Sequence, residues 1–230
     1  MNQLSKIQAV TFDVGGTLIA PWPSVGAVYA EVAARHGVKN LSPEILNQQF
    51  GSAWRVKKQF DHSKAAWREI VNATFAGFME PTEYLFEDLY HRFTEPECWR
   101  VFDDAKPTFE FLRKRGIKLG AISNWDERLR PLLDALDLAH FFQAIVVSFE
   151  CGCVKPAPKI FQRAADLLQL PAAAVLHVGD RFEEDYQGAR DIGITCVLIH
   201  RNEKTAAQEI CSLSDLAVIL ETGGQKQDSN

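Results

Sequence analysis

The stretch VTFDVGGTLIA, residues 10–20, is apolar up to Asp13 and then passes at once into Gly15, Gly16 and Thr17. A buried strand that ends on a carboxylate and turns on glycine places a charge and free backbone N–H groups together. Four later runs share its apolar, β-branched character and are bounded by turn residues: 117–122, 144–148, 174–178 and 195–199. With 7–12 they read as five strands buried on both faces. Helical periodicity over 128–136, 157–168 and 184–192 separates the later four, and a helix over 105–115 leads into the second strand, stopping at Gly116. Alternation of this kind builds a parallel sheet covered by helices, an α/β fold of five strands or more.

Between the first strand and the rest lies a stretch of different character, about 80 residues long. Ser24–His36 puts Val25, Val28, Tyr29 and Val32 on one helical face and stops at Gly37, and Ser42 with Pro43 opens a second helix. Further helices are expected over 63–78 and 82–93. The division that results is a core of residues 1–18 and 100–222, a helical insert over 19–99, and a disordered tail over 223–230. Phe50, Trp54, Phe60, Trp67, Phe75 and Phe78 could line a pocket in the insert, but a small helical unit needs bulky residues for its own core.

Ligands of an open parallel sheet bind beyond the carboxyl ends of its strands. Those ends carry Asp13, Gly15, Gly16 and Thr17 after the first strand, then Ser123 and Asn124 after the second. Lys155 follows the third, and Gly179, Asp180 and Asp185 follow the fourth. Each residue alone has an ordinary explanation as a turn cap, a helix start or a solvated charge. Together, at successive strand ends, they form a constellation. Three acids on one rim repel, and a divalent cation and a lysine relieve that repulsion. Mg²⁺ suits an all-oxygen site shared with a phosphate. The glycines let backbone N–H groups approach a phosphoryl group, to which Ser123, Asn124 and Lys155 add donors.

The set DVGGT (13–17), ISN (122–124), VKP (154–156) and GDRFEED (179–185) resembles the haloacid dehalogenase superfamily, across nearly the whole chain. The resemblance implies a Rossmann-like core with an inserted helical cap, and a hydrolase of small phosphorylated molecules. It implies Asp13 as a nucleophile forming an aspartyl-phosphate, with Thr17, Ser123 and Lys155 in the catalytic group. It further implies Mg²⁺ held by Asp13, Asp180 and the carbonyl of Gly15, with Asp185 beside them. One feature departs from the pattern. Phosphatases of the superfamily carry a second Asp two residues after the nucleophile, and here Gly15 stands in that place. General acid–base catalysis is worth about 10²- to 10⁴-fold, so a weak phosphatase, or one specialised for good leaving groups, is expected. Lys57, Lys58, His62 and Lys64 are candidates for a replacement acid, more readily read as a solvated face.

Two other functions stay open on the sequence: a metal-independent 2-haloacid dehalogenase, and a catalytically idle phosphate-binding module. A net charge of −5 with pI near 5.7 gives no support for nucleic-acid binding. No apolar run reaches the length of a membrane span or a signal segment, so a cytoplasmic protein, a monomer or weak dimer, is expected. Five cysteines without framework spacing read as reduced thiols, and Cys151-Gly152-Cys153 alone is a poor zinc signal.

Overall fold

The structure, a computed structural model, describes residues 6–57, 60–201 and 209–222. The tail expected to be disordered, and Lys58, lie outside the described residues. In chain order the elements are β1 (Ala9–Phe12), β2 (Ile19–Pro21), α1 (Val25–Arg35), α2 (Pro43–Val56), α3 (Lys64–Phe75), α4 (Glu83–Arg92), β3 (Trp99–Val101), α5 (Ala105–Lys114) and β4 (Lys118–Ser123). There follow α6 (Leu129–Ala135), β5 (Ala144–Val147), α7 (Ser148–Cys151), α8 (Pro158–Leu168), β6 (Val175–Gly179), α9 (Gly188–Arg190), β7 (Thr195–Ile199), β8 (Glu209–Ile210) and α10 (Asp215–Thr222).

Six strands form one sheet in the order β5-β4-β1-β6-β7-β8, every pair parallel, while β2 and β3 pair with each other separately. All four residues of β1 and all five of β6 are buried, as expected of strands covered on both faces. Register then sets the site. Phe12 is level with Ala121 of β4 and Val178 of β6, so Asp13, Ile122–Ser123 and Gly179–Asp180 emerge side by side at the carboxyl edge. Asp13 N donates to Val178 O at 2.8 Å, which ties the last residue of that ladder to β6. Because successive crossovers leave β1 in opposite directions, its carboxyl end is the topological switch point.

One face of the sheet packs on α8, through Ile160, Phe161, Ala164 and Leu168 against Ile122, Ala144, Val146 and Val175. Elsewhere in the core Phe12 and Phe109 meet edge to face at 5.2 Å. The sheet has one strand more than the five read from the sequence, because β8 is two residues long and too short to show a period. The helix expected over 184–192 also differs. A π-helical turn covers Phe182–Gln187 and only Gly188–Arg190 continues as α9. The Tyr186 N–H reaches back five residues to Arg181 O, at 3.3 Å. The wider turn swings Asp185 inward to full burial, and π-turns recur at functional sites for this kind of reason.

The chain divides into two compact units, Met1–Ile19 with Val101–Trp125 and Asp137–Asn230, and Ala20–Arg100 with Asp126–Leu136. The second unit is helical. Each of α1 to α4 opens on a hydroxyl cap: Ser24, Ser42, Ser63 and Thr82 accept from the N–H groups of Ala27, Ile45, Ala66 and Leu85 at 3.1–3.3 Å. Tyr29, Val32, Leu46, Phe75, Leu85 and Leu89 form its core. The sequence pattern assigns 126–136 to the α/β core. What draws it to the helices is the buried Asp126, which takes two bonds from Arg128 (2.6 and 2.8 Å) and one from Trp67 Nε1 (2.7 Å). The aromatics divide as a small core requires: Phe75 is fully buried, Trp54, Phe60 and Trp67 pack on one another, and Phe78 is exposed. No helix among the described residues is long and apolar enough to cross a membrane.

Candidate active site

The carboxyl edge of the sheet gathers Asp13, Ser123, Lys155, Asp180 and Asp185 within the first unit. Asp13 lies at the end of β1, buried, and its Oδ1 accepts from Lys155 Nζ at 2.6 Å and from Ser123 Oγ at 3.2 Å. Burial raises the Asp13 carboxyl above the ordinary value, against the pull of Lys155; the backbone N–H of Val14 also favours the charged carboxylate. Lys155, itself 3% exposed, also donates to Asp185 Oδ1 at 2.6 Å. Burial works against its charge, but Asp13 and Asp185 outweigh that and push the lysine further up. For Asp185, burial is likewise overcome, by Lys155 and His177, and the carboxyl is held well below the usual range.

Asn124 is built into the support of the lysine. Its Oδ1 accepts from Lys155 N at 2.7 Å, while its Nδ2 donates to Lys155 O and to Glu184 Oε2, both at 3.0 Å. The amide expected to touch substrate is thus committed to the Lys155 backbone. Thr17 is fully buried; its carbonyl accepts from Arg201, and its Oγ1 has no partner among the described residues. Gly16 takes φ +82°, and a Cβ there would strike the Asp180 carboxylate, so the turn can approach Asp180 only as glycine.

Asp180 fits a cation. Its Oδ1 is buried without a hydrogen-bond partner among the described residues. Burial, then the charges of Asp13 and Asp185, push its carboxyl up to about 7. One oxygen from each of Asp13, Asp180 and Asp185 lies within 4.8 Å of the others. Carboxylate oxygens so grouped, one of them unsatisfied, are the donor set of a hard divalent cation. The oxygens of Asp185 are already engaged: Oδ1 by Lys155 and His177, Oδ2 by Arg181 N at 3.0 Å. Asp13 and Asp180 therefore carry the open valence.

Sequence reasoning missed His177, Glu184 and Trp125. His177 sits in the middle of β6, fully buried, with Nε2 3.2 Å from Asp185 Oδ1 and Nδ1 3.0 Å from Thr11 Oγ1. A histidine inside the apolar run AVLHVGD is the signal that could have found it. Of the insert's candidate acids, Lys57 pairs with Glu69 and Lys64 with Glu87. His62 is not on a solvated face: it is buried at 5% exposure among the rings of Trp54, Phe60 and Trp67. All five cysteines are free thiols. Burial pushes Cys153 up to about 11, which leaves little thiolate beside Lys155.

A doubly wound parallel sheet with an acid-rich, lysine-neutralised switch point defines an α/β enzyme core. The haloacid dehalogenase-like hydrolase family model matches residues 7–193. The chain belongs to that family and is a hydrolase. It is 33% identical over 207 residues to haloacid dehalogenase-like hydrolase domain-containing protein 3 of Bos taurus, covering 84% of this chain and 82% of that protein. It is 30% identical over 212 residues to the glyceraldehyde 3-phosphate phosphatase of Methanopyrus kandleri, covering 86% and 85%. Among solved structures it is similar to a HAD phosphatase from Thermococcus onnurineus, with TM-score 0.69, 28% identity, and coverage of 93% of this chain and 98% of that one.

Proposed function

We propose that this hydrolase is a Mg²⁺-dependent phosphohydrolase of a small phosphorylated molecule, working through an aspartyl-phosphate on Asp13. The observation that carries the reading is the anchoring of Asp13: its Oδ1 is held by Lys155 and Ser123 at the carboxyl edge of the sheet, beside Asp180. A carboxylate anchored through one oxygen is an oriented nucleophile. Asp13 and Asp180, with the Gly15 carbonyl, would hold the Mg²⁺ ion, which supplies positive charge to the phosphoryl oxygens. Asp13 Oδ2 attacks phosphorus, and the bond to the leaving oxygen breaks. Lys155 favours the charged form of Asp13 against the effect of burial and, with Ser123, offsets charge that builds on the phosphoryl group. Asp185, fixed by His177 and Arg181 N, keeps the lysine in place. Water then attacks the phosphorus as the Asp13 Oδ2–phosphorus bond breaks, its proton passing to solvent or to the departing phosphate and Asp13 regaining its carboxylate.

With glycine at position 15, no carboxylate stands in that turn to protonate a leaving group or to activate water. The reading is accordingly of an enzyme for leaving groups that depart unaided, with slow release of the phospho-enzyme. The family's named phosphatases support phosphoryl chemistry. Asp180 Oδ1, buried without a hydrogen-bond partner among the described residues, weighs against a metal-independent dehalogenase, where that carboxylate would have no use.

Acid quenching after mixing with labelled acetyl phosphate and Mg²⁺ should trap a hydroxylamine-sensitive adduct on Asp13, formed together with an equal burst of acetate. Asp13→Asn should show neither. Turnover of 2-haloacids in the presence of chelator, with no adduct from acetyl phosphate, would replace this reading with carbon–halogen hydrolysis.

A further inference from the structure

Gly15 and Gly16 are adjacent glycines with different reasons to be glycine. Gly16 lies in the left-handed region of backbone space; Gly15 does not, so its own conformation would admit any residue. What stands in the way is Trp125. A Cβ built on Gly15 lies 3.2 Å from Trp125 Cζ3, inside the roughly 3.5–4.0 Å of a comfortable carbon contact. The backbone that carries the indole is fixed. Trp125 N donates to Ser148 Oγ at 3.0 Å, Ser148 Oγ donates back to Trp125 O at 3.0 Å, and Phe149 N adds a bond to the same carbonyl at 3.2 Å. The edge of a ring carried two residues beyond β4 would therefore have to give by a few tenths of an ångström for a Cβ at position 15.

We infer that Trp125 and Gly15 are a matched pair, in which ring carbon replaces a proton donor on that flank of Asp13. The pair restricts the site to phosphoryl donors whose leaving oxygen departs as a stable anion: aryl, enol or acyl phosphates, and not alkyl phosphates. The inference rests on the phosphoryl reading and narrows its substrate class. In the first step the Asp13 Oδ2–phosphorus bond forms as the bond from phosphorus to the leaving oxygen breaks. The bonding pair goes to that oxygen, and no proton moves. An aryloxide or carboxylate leaves readily on those terms, whereas an alkoxide lacks the acid it needs. The indole also offers an apolar edge to a planar leaving group.

A double-mutant cycle on the full chain tests the pair, using Gly15→Asp, Trp125→Ala and the two combined. The probes are substituted phenyl phosphates spanning leaving-group acidity, one alkyl phosphate, and the melting temperature in chelator. The protein as it stands should lose kcat/KM steeply as the leaving group becomes less acidic. Gly15→Asp alone should melt lower and keep that steep dependence. The combined variant should melt higher than Gly15→Asp, although it has lost the indole, and should gain about tenfold or more on the weakest leaving groups. Trp125→Phe, which shortens the ring, serves in the same cycle if Trp125→Ala does not fold. The pair is overturned if Gly15→Asp alone melts unchanged and gains as much as the combined variant. If no phenyl phosphate is hydrolysed in an Asp13-dependent way, the phosphoryl reading fails and the substrate class falls with it. The melting cycle then still decides the pairing of positions 15 and 125.

Discussion

Asp180 is the residue at which the fold is most at odds with itself. Its Oδ1 is buried without a partner among the described residues, and its charge faces Asp13 and Asp185. In a protein stripped of divalent cations, Asp180→Asn removes that repulsion while keeping the shape. It should therefore stabilise the fold, on the order of 1–3 kcal/mol once solvent screening is allowed for. Urea denaturation at pH 8 in chelator measures this, and an Asn variant less stable than the parent there would mean that Asp180 has a structural partner. The cation site proposed for Asp180 would make this the usual trade between function and folding. Asp180 was legible from its position after an apolar strand. His177 and Trp125 were not, because their meaning lies in partners remote in sequence: Thr11 for the histidine, Gly15 for the indole.

At the scale of elements, the junction before α5 shows how a single carboxylate ties distant segments together. Asp104 Oδ2 accepts from Arg201 at 2.5 Å, Ser212 Oγ at 2.7 Å and Leu213 N at 2.9 Å. Burial opposes its charge, but these donors prevail and hold the carboxyl below its ordinary 3.8. The stability it adds is complete above that ordinary value and is lost as pH falls through the lower, folded one. Asp104→Asn should therefore cost about 1–3 kcal/mol near neutrality and flatten the acid limb of the stability curve. An acid limb as steep as the parent's would place the proton uptake on another carboxylate. The elements themselves were readable where physics made the pattern redundant: strands buried on both faces are apolar throughout, and four helices open on Ser or Thr. The π-turn at 182–187 was not readable, because no periodicity in FEEDYQ marks a hydrogen bond that reaches back five residues.

For the molecule as a whole, a cation held by the gathered acids as proposed would make folding and cation binding one equilibrium. Mg²⁺ at 100 times its dissociation constant should add about 2.7 kcal/mol, a rise in melting temperature of about 5–11 °C for a chain of this size. Asp180→Asn should abolish the rise, and calorimetry showing unchanged Mg²⁺ affinity in that variant would remove Asp180 from the metal site. The central position of β1 has a consequence of another kind, for the order in which the chain can be assembled during synthesis. Ala9 pairs with Lys118 on one side and with Val175 on the other. While the polypeptide grows, the apolar strand that ends at Asp13 has no native neighbour until β4 has been made, and its second neighbour comes later still. The helices α1 to α4, whose partners lie close in sequence, can close in the meantime. Contacts of such long range are slow to form and leave apolar segments uncovered while they wait. The strand that carries Asp13 to the sheet edge is thus among the earliest parts of the sheet to be made and among the last to be enclosed.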